Sequence, residues 1–175
     1  MPPPVPVELQ PHNPGWAAAA DQEAGRLRST LGRAVLDIHH IGSTAIPGLV
    51  AKPTIDLVPV VGSLDALDAA RPMLEALGYE WWGEYGLPGR RYCTLSDAPT
   101  GKRLVHLHFY ENGDPAITRH VAFRDYLRAR PDLIAEYEAL KQRCREAHAA
   151  SSHSYSACKG DWIKRIEAEA MAALG

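Results

Sequence analysis

The sequence predicts an α+β fold, a mixed β-sheet packed by helices with a helical C-terminal third. Three observations carry that expectation. Apolar, β-branched runs recur at "RAVLDIHHI", "TIDLVPVV", "RRYCTLS" and "RLVHLHFYE", with the length and composition of strands. Capped segments of helical spacing precede the first run and follow the second. From Asp114 onward the pattern is helical to the end of the chain.

The elements follow in order. Residues 1–12 form an extended arm, because its prolines fix φ and remove backbone donors. In "NPGWAAAADQEAGRLRSTLG", Asn13 caps a helix, Pro14 suits its first position and Gly32 ends it. "RAVLDIHHI" is the first strand, and residues 42–53 are a loop with short helical character. "TIDLVPVV" is apolar on both faces, so it is a central strand. Pro59 within it implies a bulge or an exposed end. "SLDALDAARPMLEALG" is a helix from Ser63 to Gly78, with a kink or break at Pro72. "YEWWGEYGLPG" is loop and strand edge. The next two strands form a hairpin across "DAPTGK". Asp114 caps a helix that starts with Pro115. Another starts at Pro131, with Leu133, Tyr137, Leu140 and Cys144 on one stripe. "SSHSYSACKG" is a link, and "DWIKRIEAEAMAALG" is the last of three helices, with Ile163, Ile166, Ala170 and Ala173 on one face. One domain spans residues 1–175, with 114–175 as its helical part and no linker between the two.

Bulk properties narrow the function. Of 175 residues, 46% are hydrophobic and 23% charged, as in ordinary globular proteins. A net charge of −2 and a pI near 6.4 give no bulk attraction to nucleic acid or to a membrane. No apolar run is long enough to cross a bilayer. The proline-rich start lacks the features of a signal peptide, so the expected location is cytoplasmic. Three cysteines, an odd number without a C-x-x-C pair, argue against a disulfide framework and against a Cys-only zinc site.

The chemistry concentrates in two places. In "HHIGSTAIPGLVAKPTIDLVPVV" the Gly42-Ser43 turn follows a strand and offers backbone N–H groups and a hydroxyl to a phosphate. Asp56 then sits among apolar neighbours, on the face opposite Ile55 and Leu57. An acid there is costly unless it meets a metal, a base or a run of donors. Lys52 is one candidate partner. In "VHLHF", His106 and His108 are two residues apart on a strand and project from one face. They suit a metal, a phosphate or acid–base work. His39 and His40 point to opposite faces, so at most one joins that site. Arg90 and Arg91 are candidate phosphate clamps, with Arg91 preferred. Each feature also has an ordinary structural role: a turn, a backbone-bonded acid, packed histidines, a solvated lysine.

The motifs "HIGSTAIPGLVAKPTID", "VELQPHNPGW", "HLHF" and "RHVAFRDYLRARPDLIAEYEALK" together resemble the GrpB family, from about Val7 to the last helix. In some bacteria this domain is fused to dephospho-CoA kinase. The resemblance implies a nucleotidyltransferase-like fold, in which a Gly-Ser turn holds nucleotide phosphates and strand acids hold divalent metals. Gly42 and Ser43 then match the phosphate turn and Asp56 the first acid, and Lys52 and Arg91 stand beside them as substrate-contact candidates read from the residues alone. Asp56, His106 and His108 become candidate ligands for Mg, Mn or Zn, and Asp56 and His108 candidate catalytic groups. The sequence departs from the superfamily pattern at Val58, where a second acid belongs, and at His106 and His108, where a third belongs. It also has His39-His40 where members carry Glu-His. Two-metal transfer needs several carboxylates, and imidazole suits zinc, manganese or iron better than magnesium. Two functions follow as expectations: binding of a nucleotide or other phosphate ligand with a divalent metal, or a non-catalytic module that assists a protein partner.

Overall fold

The computed structural model describes residues 2–175. In chain order its elements are α1 (Gly15–Leu31), β1 (Val35–Ile41), β2 (Ile55–Val61), α2 (Leu64–Ala69), α3 (Arg71–Ala76), β3 (Glu80–Trp81), β4 (Arg90–Ser96), β5 (Arg103–Glu111), α4 (Pro115–Arg128), α5 (Pro131–Ala147), α6 (Ser152–Cys158) and α7 (Gly160–Ala173). The strands form one mixed sheet in the order β1-β2-β5-β4-β3. The β2–β5 pair is parallel, and the other three pairs are antiparallel. This is the α+β architecture that the strand and helix patterns predict.

Strand alternation assigns each face of the sheet a different partner. Ile55, Leu57 and Val61 of β2 join Leu107 and Phe109 of β5 beneath α1, where Trp16, Ala20, Leu27 and Leu31 form the buried stripe. Val58, Val60 and Tyr110 face the other way and pack with Ile117 of α4. Asp56 belongs to this second face, which the C-terminal helices cover. Those helices hold their own core, in which Leu127, Leu133, Tyr137 and Ile166 enclose Ile46 and Leu49 of the loop after β1.

Several expectations are met in detail. Ser43–Ala45 is a single 3-10 turn within the loop. The helix after β2 breaks at Ala70, and Pro72 opens the next one. Proline cannot donate to the preceding turn, so one helix becomes two. Asp114 caps α4 by accepting from the Ala116 N–H at 2.8 Å.

Other expectations are corrected. Pro59 is buried inside β2, and the ladder to β5 keeps one register on either side of it, Leu57↔Leu107 and Val60↔Tyr110. The bulge lies in β1, between Val35 and Asp37. The "SSHSYSACKG" segment is not a link. It folds as α6, capped by the Ser151 hydroxyl accepting from the Ser154 N–H, so four helices rather than three close the chain. Cys144 and Cys158 form a disulfide between α5 and α6, and only Cys93 stays reduced. The odd count that argued against a framework is compatible with a single bridge.

The N-terminal arm is extended, as its prolines require, and it is tied down. Val7 N–H donates to Ala149, Ser152 N–H donates to Val5, and Gln10 bridges to Ala51. Val7 packs on Cys144 and Tyr155.

Candidate functional site

Asp56 lies at the start of β2, where the sheet passes beneath the Gly42-Ser43 turn. Parallel pairing sets it beside His106 in the β2–β5 register. His106 Nδ1 is 2.9 Å from Asp56 Oδ1, and His108 Nε2 is 3.7 Å from the same oxygen. Burial alone would push the Asp56 carboxyl up. The hydrogen bond from His106 and the nearby His108 imidazole outweigh it and hold the group well below the usual carboxylate range. For His108, burial lowers the pKa and the Asp56 carboxylate works against that.

Gly42 explains the turn. Its φ is +71°, and a Cβ there would sit 2.7 Å from Asp56 Oδ2. Only a residue without a side chain lets the backbone come this close to the carboxylate. Ser43, next along, accepts a hydrogen bond from Lys141 Nζ at 2.6 Å. His40 sits opposite Leu57 in the β1–β2 register and so lies on the α1 face rather than on that of Asp56. Its Nε2 is 2.9 Å from Thr44 Oγ1, and burial lowers its pKa to about 4. His39 instead faces Asp37 at 3.5 Å.

Ser43, Lys52, Asp56 and His106 line one hollow of about 160 Å³. Two residues that the sequence did not single out complete it, Lys141 of α5 and Lys159 between α6 and α7. Lys141 is 1% exposed, and its Nζ also donates to Val50 O at 2.6 Å. Lys159 Nζ stands 4.1 Å from the centre of the Tyr155 ring, and Lys52 Nζ 5.6 Å from it. Burial lowers the pKa of all three: Lys141 falls well below the ordinary value, Lys159 to about 7, and Lys52 less far. Among the described residues, no carboxylate forms an ion pair within 4.0 Å of any of these ammonium groups.

Lys141 left a trace in the sequence. It lies one helical turn after Tyr137, a cation beside the apolar stripe of α5. Lys159 left none, because its neighbourhood resembles a polar loop.

The structure brings together Gly42, Ser43, Lys52, Asp56, His106 and His108. It does not bring Arg91. That guanidinium binds both oxygens of Asp68 on α2, at 2.6 and 2.7 Å, on the sheet's other face. Arg91 is thus held by Asp68 away from the hollow, and Arg90 donates to the Glu84 and Tyr85 carbonyls. Alternation turns Arg90 toward the site, where Nη1 is 3.4 Å from His108 Nδ1 and the guanidinium lies over Tyr92. His120 of α4 adds a third imidazole beside His106 and His108, its ring 5.8 Å from that of His108, with a pKa that burial lowers to about 3.

Asp56, His106 and His108 offer three donor atoms within 4.8 Å of one another. Four-coordinate zinc with bonds of about 2.0–2.1 Å holds its donors roughly 3.3 Å apart. The set fits such an ion once the His106–Asp56 hydrogen bond gives way. One oxygen and two nitrogens suit zinc or manganese better than magnesium.

Fold and site together define an α+β protein with a mixed five-stranded sheet, in which a Gly-Ser turn leads to a strand acid. The family pattern described as GrpB protein matches residues 6–169, and the chain belongs to the GrpB family. It is 43% identical to the UPF0157 protein YqkA of Bacillus subtilis over 164 residues, 94% of this chain and 47% of that one, so it spans about half the length of that relative. It is 29% identical to the dephospho-CoA kinase of Mycolicibacterium paratuberculosis, covering 91% of this chain and 45% of that protein. The crystal structure of conserved protein GrpB from Enterococcus faecalis superposes with a TM-score of 0.88 at 38% identity, covering 95% of this chain and 99% of that one.

Proposed function

We propose that the hollow beneath the Gly42-Ser43 turn binds a phosphate-bearing small molecule, a nucleotide among them, with a divalent metal at Asp56, His106 and His108. The observation that carries the proposal is the charge balance: three lysine ammonium groups converge on a small hollow whose only carboxylate is Asp56. One carboxylate does not match three lysines whose charged forms burial disfavours, and a bound phosphate would stabilise them as cations. Ser43 and the turn supply neutral donors beside them. A bound metal would supply Lewis-acid polarisation of a phosphate oxygen. Asp56 and His108 are the groups that would carry catalysis if turnover occurs. With Val58 and His106 in place of further acids, two-metal transfer is not part of the proposal.

A second reading, a module that assists a protein partner, is favoured by the match to part of a dephospho-CoA kinase. A cytoplasmic setting belongs to either reading. The Cys144–Cys158 bridge is the observation that pulls the other way, since reducing compartments disfavour disulfides.

The test is thermal unfolding with inorganic phosphate and AMP, each with and without Zn²⁺, Mn²⁺ or Mg²⁺. A ligand at about 100 times its Kd adds roughly 2.7 kcal/mol, or about 5–10 °C for a chain of this size. Lys141→Met abolishes the phosphate shift, and Asp56→Asn abolishes the metal shift. No shift under any combination overturns the proposal and leaves the partner module.

A further inference from the structure

The lysine-lined hollow shares Lys52, His106 and Ser156 with a second cavity of about 400 Å³. The N-terminal arm borders this cavity through Pro2, Pro3 and Val5, and α6 borders it through Ser152 and Ser156. Arg103, the first residue of β5, also lines it. The Arg103 side chain is 8% exposed. Its Nη1 is buried and has no hydrogen-bond partner. Glu80 Oε2 stands 3.8 Å from that nitrogen, outside hydrogen-bond reach.

A buried guanidinium donor without an acceptor is costly, and an oxyanion is the partner its planar fork fits best. The neighbouring wall is of a different kind. Tyr85 and Tyr92 stack there with centroids 5.1 Å apart and an interplanar angle of 16°. The two adjoining cavities therefore hold two sets of cationic side chains, and the tyrosine pair lines the second cavity. One set is the Lys141–Lys159 pair, the other is Arg103, and Lys52 lines both cavities.

We propose that the second cavity is a subsite for a second anionic group, read by Arg103. The ligand is then a small molecule with two separated anionic groups and a planar or apolar body between them. This rests on the lysine hollow taking the first phosphate. A ligand with one phosphate satisfies only that set and leaves Arg103 Nη1 unpaired. A ligand with two satisfies both.

The test is titration calorimetry on the full chain with AMP and with adenosine 3′,5′-bisphosphate, which differ by one phosphate. The bisphosphate binds roughly tenfold or more tightly than AMP. Arg103→Gln brings the two within about twofold and leaves AMP binding unchanged. Arg103→Lys keeps the charge, loses the fork and loses most of the preference, so the outcome does not hang on how well the Gln variant folds. Equal binding of both probes to the unaltered chain overturns the second subsite and leaves phosphate binding in place. A preference that survives in Arg103→Gln overturns the role of Arg103. Binding of neither probe brings down the subsite and the phosphate site together.

Discussion

Replacing Gly42 with alanine isolates the closest approach in the site. The backbone there has φ +71° and ψ −169°, a region that side chains other than glycine's all but avoid. Holding alanine in it costs about 1–3 kcal/mol. The added Cβ would also lie 2.7 Å from Asp56 Oδ2 and 3.2 Å from Asp56 Cβ. Non-bonded carbons do not approach so closely, so the carboxylate has to move. Its 2.9 Å hydrogen bond with His106 then weakens. A hydrogen bond to a charged group contributes about 1.5–3 kcal/mol. Together the two effects give a loss of about 2.5–6 kcal/mol, a fall of roughly 5–20 °C in Tm for a chain of this length. Urea unfolding followed by circular dichroism measures the loss, and histidine NMR titration reports the displaced carboxylate. Gly25→Ala is the matched control. That glycine lies inside α1 with nothing within 4 Å of an added Cβ, so alanine there stabilises by about 1 kcal/mol. A Gly42→Ala loss below about 1 kcal/mol would refute the close-approach account.

Two further outcomes follow from the same geometry. Lys159 has a folded pKa of about 7 against an ordinary 10.5, so between those values the unfolded chain binds the extra proton. Stability contributed through Lys159 therefore rises with pH across that window, by up to about 1.4 kcal/mol per unit. It is lost as pH falls toward 7. Lys52, Lys141, Asp56 and Tyr155 surround the group, so the comparison is with Lys159→Met, whose curve lacks this slope. Parallel urea midpoints for the two proteins from roughly pH 6 to 9 would contradict it. The disulfide closes a short loop between Cys144 and Cys158, at a separation of 14 residues. Reduction, or a Cys144→Ala, Cys158→Ala double variant, costs about 3 kcal/mol. Unchanged denaturant midpoints after complete reduction would show that the bridge adds nothing.

Much of the fold was legible because its signals are local. Pro72 splits a helix wherever it falls, Asp114-Pro115 caps and starts one, and the β4–β5 hairpin needs only two strand patterns and a turn. The departures involve competition between local and distant interactions. "SSHSYSACKG" is polar enough to pass for a loop, but Tyr155 buries itself against Val7 and Cys144, and that contact makes it helical. Pro59 was expected to disturb β2, yet burial on both sides of the sheet keeps the strand regular.

By itself, the sequence determined that Gly42, Ser43, Asp56, His106 and His108 could meet. A turn before a strand sets Gly42 and Ser43 near Asp56, and the strand period sets His106 and His108 on one face, while the parallel β2–β5 pairing joins the two sets. Only the tertiary structure decided which cations join them. Arg91 and Arg90 are neighbours with the same chemistry, and strand alternation against α2 sends one to Asp68 and the other to His108. Lys141 and Lys159 arrive from helices about a hundred residues beyond the turn, which the packing of α5 and α6 carries over the sheet. Charge convergence of that kind depends on distances between elements remote in the chain, and no local pattern of residues encodes those.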